Sequence, residues 1–495
     1  MHTEIKRKMV KCGERTASLI AALSLIAFAT AGNATGFNSI QTLSQGGVFP
    51  VNGLAGDAFG QVVTFNNDFL FVSSPGSQPN NKSIAGAVFV YQWHGGEYEP
   101  TQVITTGGTG DHLGMLQILS GGEWLMLGAI GTPLGPQIND AISDQNFKGA
   151  VLIYRLGSNG QWQQVQILDS STPGLQQLSM IGGGGIPVRL TPQGANFGLR
   201  MALDADRGWL FVSALYQDAV TAMNAGQVFA FRFDKSSGTW VLAQTFTNPD
   251  GFSVNDAFGA AVAVKGRYAM IGNGSVFQGP HSGNSAVYVY RFEGGAWNYV
   301  QRLAGTQTTV TPLFFPQFDP NPFGVGDAFG NAIALDKDDM IITAPLESPN
   351  VPASVFNGAA YFYRREQMQG QEQWVLKQRV ESDDPNSLTF GVFSVALDGP
   401  TAVIGDIGWT GSTMLQGAAH IYKRSTTWQK SATLSDPLAT PSAGFGAGVA
   451  LGPNGRLAIG SSPFLGFFVP VIFDPPPAAG PPVAPGKVIV YDPAE

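Results

Sequence analysis

GDAFGNAIALDKDDMIITAP, residues 326–345, runs from a phenylalanine–glycine pair through a short alternating stretch and a tight polar turn into a second apolar stretch. Two period-two runs about a short acidic turn predict a β-hairpin buried on at least one face. The opening pair recurs along the chain as Phe59-Gly60, Leu113-Gly114, Phe197-Gly198, Phe258-Gly259, Phe329-Gly330, Phe390-Gly391 and Phe445-Gly446. Seven copies make a repeat architecture, which has to be recognised before any other feature is read.

Each copy continues in the same way. A second apolar run follows, as in FLFVSS (69–74), WLMLGA (124–129) and WLFVSA (209–214). After a variable connection comes a third, as in GAVFVY (86–91), GAVLIY (149–154) and GKVIVY (486–491). A fourth run begins on an aromatic residue: WQQVQIL (162–168), WVLAQTF (240–246), WNYVQRL (297–303), WVLKQRV (374–380), WQKSATL (428–434) and the weaker YEPTQVI (98–104). These fourth runs number six, because the seventh repeat ends at Tyr491 with four residues left. The missing one lies at the other end. FNSIQTL (37–43) superimposes on WNYVQRL at Phe37, Asn38, Gln41 and Leu43. The sequence therefore predicts an all-β, seven-bladed β-propeller of four-stranded blades over residues 37–491, its N-terminal strand closing the last blade. Closure protects edges and ties down a terminus.

Composition agrees. With 64 glycines and 32 prolines the chain is rich in turns, and 44% apolar residues suffice for a core. Residues 1–31 read as a signal peptide. Lys6, Arg7, Lys8, Lys11 and Arg15 precede an apolar run from Ala17 to Ala31, and Ala29-Thr30-Ala31 supplies small residues for cleavage. That run of about 15 residues falls short of the ~20 needed to span a bilayer. The expected location is thus periplasmic, extracellular or on the cell surface, with no membrane span left after cleavage. The only cysteine, Cys12, would leave with the peptide, removing thiol chemistry. Loss of five basic and two acidic residues takes the formal charge from −8 to −11. That balance argues against nucleic acid and anionic membrane surfaces as partners. A monomer is expected.

The repeat resembles the FG-GAP repeat of integrin α-chain propellers and their bacterial relatives. Phe59-Gly60, Phe258-Gly259 and Phe329-Gly330 stand in the favoured DAFG setting, and Thr343-Ala344-Pro345 and Ser73-Ser74-Pro75 match the GAP position. Other copies depart there, as at Gly128-Ala129-Ile130. The resemblance implies calcium in the turn between the first two strands. Asp204 and Asp206, and Asp336 and Asp338 with Asp339, are the best remnants of such a ligand set. None of these turns carries a full set, and hairpin turns favour the same residues for their own sake. No cofactor is required.

Strand alternation sends the first and third turns of each blade to one face and the other connections to the opposite face. All the long connections, including 168–195, 304–326 and 461–485, belong to the second face. Variable loops on a rigid scaffold are the usual seat of recognition, and the resemblance to integrins points to the same face. Its aromatics, Tyr216, Phe277, Phe314, Phe315, Phe318, Phe323, Trp409, Phe464, Phe467, Phe468 and Phe473, are candidate ligand contacts. The competing reading of 461–485 is a proline-stiffened plug over the ring. Asp57, Asp111, Asp256 and Asp327 precede four of the glycine pairs, either as a ring of carboxylates or as turn residues bonding their own backbone. His94, His112, His281 and His420 lack metal-ligand spacing, and the Asp383-Asp384 pair reads as solvated. The expected function is a non-catalytic scaffold for an extracellular protein or glycan. The alternatives are a polysaccharide-acting hydrolase or lyase, with residues converging from separate blades, and a structural part of an exported assembly.

Overall fold

The computed structural model describes residues 36–45, 57–79, 82, 85–108, 111–130, 149–176, 195–219, 222, 224–253, 256–274, 285–305, 311–312, 324–325, 327–347, 357–384, 387, 389–413, 415–438, 443–462 and 486–494. The predicted signal peptide and most of the long connections lie outside them.

The propeller belongs to the compact unit Ala34–Glu495. Blade one is β2 (Val63–Asn66), β3 (Phe69–Ser74), β4 (Ala87–His94) and β5 (Glu97–Ile104). Blade two is β6 (Ile118–Gly121), β7 (Trp124–Ala129), β8 (Ala150–Leu156) and β9 (Trp162–Leu168). Blade three is β10 (Phe197–Asp204), β11 (Trp209–Ala214), β12 (Gln227–Asp234) and β13 (Thr239–Phe246). Blade four is β14 (Ala261–Lys265), β15 (Tyr268–Gly272), β16 (Ala286–Glu293) and β17 (Ala296–Ala304). A small pair, β18 (Thr311–Pro312) with β19 (Gly324–Val325), interrupts the way to blade five. Blade five is β20 (Ile333–Asp336), β21 (Asp339–Ala344), β22 (Ala359–Met368) and β23 (Gln371–Glu381). Blade six is β24 (Phe390–Asp398), β25 (Thr401–Asp406), β26 (Ala418–Arg424) and β27 (Trp428–Leu434). Blade seven takes β28 (Phe445–Leu451), β29 (Leu457–Ser461) and β30 (Lys487–Pro493) from the end of the chain and β1 (Phe37–Ser44) from its beginning. β1 pairs antiparallel with β30, Phe37 opposite Pro493 and Ser44 opposite Lys487. The seven-bladed fold and its closing strand are as the repeat predicts.

The core lies between blades. One buried cluster joins Trp124, Met126 and Leu168 of blade two to Phe197, Leu210 and Phe229 of blade three. The aromatic heading each outer strand wedges against the blade before it. Trp162 meets Phe71 edge-on at 5.3 Å, Trp240 meets Trp124 at 5.4 Å, and Trp428 stacks on Phe362 at 4.8 Å. A glutamine four residues after that aromatic then clasps the backbone of the next one. Gln166 accepts from the Trp240 N–H at 2.8 Å and donates to its carbonyl at 2.9 Å. Gln41, Gln102, Gln244, Gln301 and Gln378 repeat the arrangement. The stretch 98–104, the weaker match in sequence, is a full member: Tyr98 receives one clasp and Gln102 makes the next.

The opening glycines let neighbouring blades touch at their inner ends. A Cβ on Gly60 would come within 2.7 Å of the Lys487 carbonyl, and one on Gly460 would strike the Gly60 carbonyl. Gly60 also sits at φ +87°, where a side chain is strained. Blade seven therefore docks on blade one backbone to backbone, as Gly128 does on Gly198.

Candidate functional site

The two faces differ as the topology requires. The hairpins between first and second strands, such as 67–68 and 205–208, and those between third and fourth, such as 95–96 and 294–295, are two to five residues long. The connections on the other face run from eight residues (382–389) to twenty-eight (169–196).

The hairpin face is latched shut between blades. Asp204, at the end of β10, accepts from Gly266 N–H in the blade-four turn at 2.7 Å and from Arg207 N–H in its own turn. Asp336, at the end of β20, accepts from Gly399 N–H of blade six at 2.9 Å. Asn66 holds the corresponding place in blade one and donates to Gly122 O of blade two at 2.8 Å. Asp338 pairs with Arg365, and Asp206 is exposed. The four aspartates named for calcium thus have these places: Asp204 and Asp336 at the blade joints, Asp338 in an ion pair, and Asp206 at the surface. Asp204 and Asp336 cap backbone donors of the adjoining turn, and no group of three metal-ligating side chains occurs among the described residues. A turn that must satisfy a neighbour's N–H selects the same short acidic residues as a calcium loop does.

On the long-connection face, the aspartates before the glycine pairs are buried, and each has partners. Asp111 accepts from Gly108 N–H and Asp327 from Phe329 N–H, the local bonding expected of turns. Asp57 accepts from Gln45 and Asp256 from Asn248 and Asn273, so these two tie separate segments together. Burial raises the Asp327 carboxyl to about 7, and the nearby Glu347 charge adds to the rise. Glu347 is buried too, receiving Tyr361 Oη and the Arg379 guanidinium, whose Nη2 is 2.7 Å away.

A second polar cluster surrounds Asp406, which accepts from Ser382, Ser387 and Thr389. His420 lies 3.5 Å from it through Nε2 and meets Thr433 Oγ1 through Nδ1 at 3.2 Å. Serine, aspartate and histidine are adjacent here, yet the aspartate lies between the other two and His420 has no exposed surface. Of the Asp383-Asp384 pair, Asp384 is buried and accepts from Thr410 N–H, which corrects the expectation of a solvated pair.

The innermost strands enclose a bore of about 200 Å³, lined from all seven blades by residues such as Gln61, Gln117, Arg200, Val262, Asn331, Ser394 and Val449. Arg200 is its only charged lining residue among those described. Its Nε donates to Ala260 O at 3.2 Å. Burial lowers its pKa to about 10, against a smaller opposing effect of Tyr216. Tyr216 itself is only 7% exposed, packed with Leu199, Leu215, Ala257 and Ala260. The expectation that Tyr216 is an exposed aromatic is thus corrected: two residues past the end of β11, it is buried in an apolar cluster. Trp409 is half-buried in the connection 407–417, where Gly417 N–H donates to its carbonyl. Phe277, Phe314, Phe315, Phe318, Phe464, Phe467 and Phe468 lie outside the described residues. Arg200 was not a sequence candidate, because one arginine in an alternating strand reads as a solvent-facing position.

No protein-family model matches the chain, and no curated protein matches it significantly. Among solved structures it is similar to the periplasmic gluconolactonase PpgL of Pseudomonas aeruginosa, at 15% identity and TM-score 0.44, covering 77% of this chain and 86% of that one. It is also similar to the β-propeller domain of the Trilobed protease from Pyrococcus furiosus, described as having an open velcro topology, at 7% identity and TM-score 0.41, covering 83% and 91%. Neither likeness says what this chain binds or turns over. Among the described residues no helix is long and apolar enough to cross a membrane.

Proposed function

We propose that this chain is an exported, non-catalytic binding module that takes a protein or a glycan on its long-connection face, in the manner of the FG-GAP propellers it resembles. The observation that carries this reading is the asymmetry of the two faces. One is closed by hairpins of two to five residues latched through Asn66, Asp204 and Asp336. The other sends out every connection of eight residues or more from a hydrogen-bonded base that includes Asp57, Asp256 and Asp406. A rigid ring with long segments on one side is the architecture of a display scaffold. The two clusters of titratable groups described above, at Asp327 with Glu347 and at Asp406 with His420, are buried and engaged in hydrogen bonds, which favours binding over turnover.

The test is capture on an array of glycans and extracellular proteins, with and without calcium. Specific capture that is lost in a combined Phe314→Ala, Phe315→Ala, Phe467→Ala, Phe468→Ala variant, with thermal stability retained, is the expected result. Turnover of an arrayed glycan, or capture indifferent to these substitutions, would contradict the proposal.

A further inference from the structure

We infer that the end of the bore nearest the long connections binds a small organic monoanion, a hydroxy-carboxylate, with Arg200 as its counter-ion. Arg200 is the second residue after the Phe197-Gly198 pair, at the start of β10, where that strand leaves the long-connection face. It is 8% exposed, and beyond the bond from Nε to Ala260 O its guanidinium has no partner among the described residues. Among the described residues no carboxylate lines the bore with it. A buried charge without a counter-charge is strongly disfavoured, and this one remains cationic near neutrality, its pKa being about 10. The planar fork matches a carboxylate in two parallel hydrogen bonds. One cation balances one negative charge, which favours a carboxylate over a phosphate dianion.

The rest of the lining suits hydroxyl groups. Gln61 is 6% exposed and its side chain has no partner among the described residues. Gln117 accepts from Met201 N–H, which leaves its amide NH₂ for a ligand, and Thr64 adds a hydroxyl. A volume of about 200 Å³ leaves room for an acid of a few carbons. The inference is independent of what the long connections capture.

The test is thermal unfolding of the full chain at pH 7 and constant ionic strength, with added glycerate, inorganic phosphate or chloride. Glycerate is expected to raise the midpoint in a saturable way, and chloride is not. Arg200→Met should abolish the response and, without anion, unfold no earlier than the wild type, since it deletes an unpaired buried charge. An absent glycerate response, an equal response in Arg200→Met, or a larger Arg200-dependent response to phosphate would overturn the inference. Should Arg200→Met fail to fold, phenylglyoxal labelling of the wild-type chain decides the matter by peptide mapping. Glycerate must protect Arg200 from modification, and labelling at an unchanged rate would overturn the inference.

Discussion

Gln41, in the N-terminal strand, grips the backbone of Tyr98 in blade one, accepting from its N–H at 2.8 Å and donating to its carbonyl at 3.0 Å. The two residues are fifty-seven positions apart. Their contact joins blade seven, assembled from β1 and β28–β30, to blade one, so ring closure is built from the same part as the other joints. One joint lacks it. In β27 the position four after Trp428 is Ala432, and the aromatic it would clasp is Phe37.

Restoring that clasp should therefore stabilise the ring. Ala432→Gln is expected to raise the unfolding free energy by about 1 kcal/mol, the usual net worth of such hydrogen bonding. Gln166→Ala should lower it by about 1–3 kcal/mol, since the partly buried Trp240 N–H and carbonyl lose their partner. Urea unfolding of the two variants measures both, and a destabilising Ala432→Gln would show the joint at blade six to be built differently.

The turn latches make a prediction about chemistry as well as stability. Asp204→Asn keeps one oxygen, enough for the shorter bond from Gly266 N–H but not also for Arg207 N–H, and should cost less than Asp204→Ala, which strands both donors at about 1–2 kcal/mol. Because the carboxylate serves a backbone N–H, a calcium chelator should leave the melting temperature of the wild type unchanged. A drop on chelation would support the metal reading instead.

Asp327 should make stability depend on pH in a definite direction. Its folded pKa of about 7 lies above the unfolded 3.8, chiefly through burial. The contribution is complete below pH 4 and is lost as pH rises towards 7, because the unfolded chain ionises first. The loss is at most about 1.4 kcal/mol per pH unit over that window. Asp327→Asn should flatten the slope between pH 4 and 8. An unaltered slope in melting temperature against pH would place the ionisation penalty elsewhere.

The fold was legible because the pattern that encodes it is local. Strand alternation, the glycine pairs and the aromatic heads recur in register, and FNSIQTL carries the same spacing at the far end of the chain. The recurring glutamine was in view at Gln41, Gln102, Gln166, Gln244, Gln301 and Gln378, but its work is between blades and no single repeat reveals it. Tyr216 misled because a residue just past a strand reads as loop and hence as surface; the inner ends of blades crowd together, and such a residue is pressed into the wedge between them. Arg200 was passed over for the opposite reason. In an ordinary sheet an isolated arginine marks the wet face, whereas the first strand of a propeller blade faces the bore.

The most direct test of the binding account is oriented capture. With Cys12→Ser removing the only cysteine, a single thiol is placed at Asp206, exposed on the hairpin face, or at Leu438, 68% exposed in the connection between blades six and seven. Each variant is tethered through that thiol and offered the glycans and extracellular proteins of the array. Capture is expected from chains held through Asp206→Cys and its loss from chains held through Leu438→Cys. Equal capture in both orientations, or capture only by chains held through Leu438→Cys, would contradict the binding account.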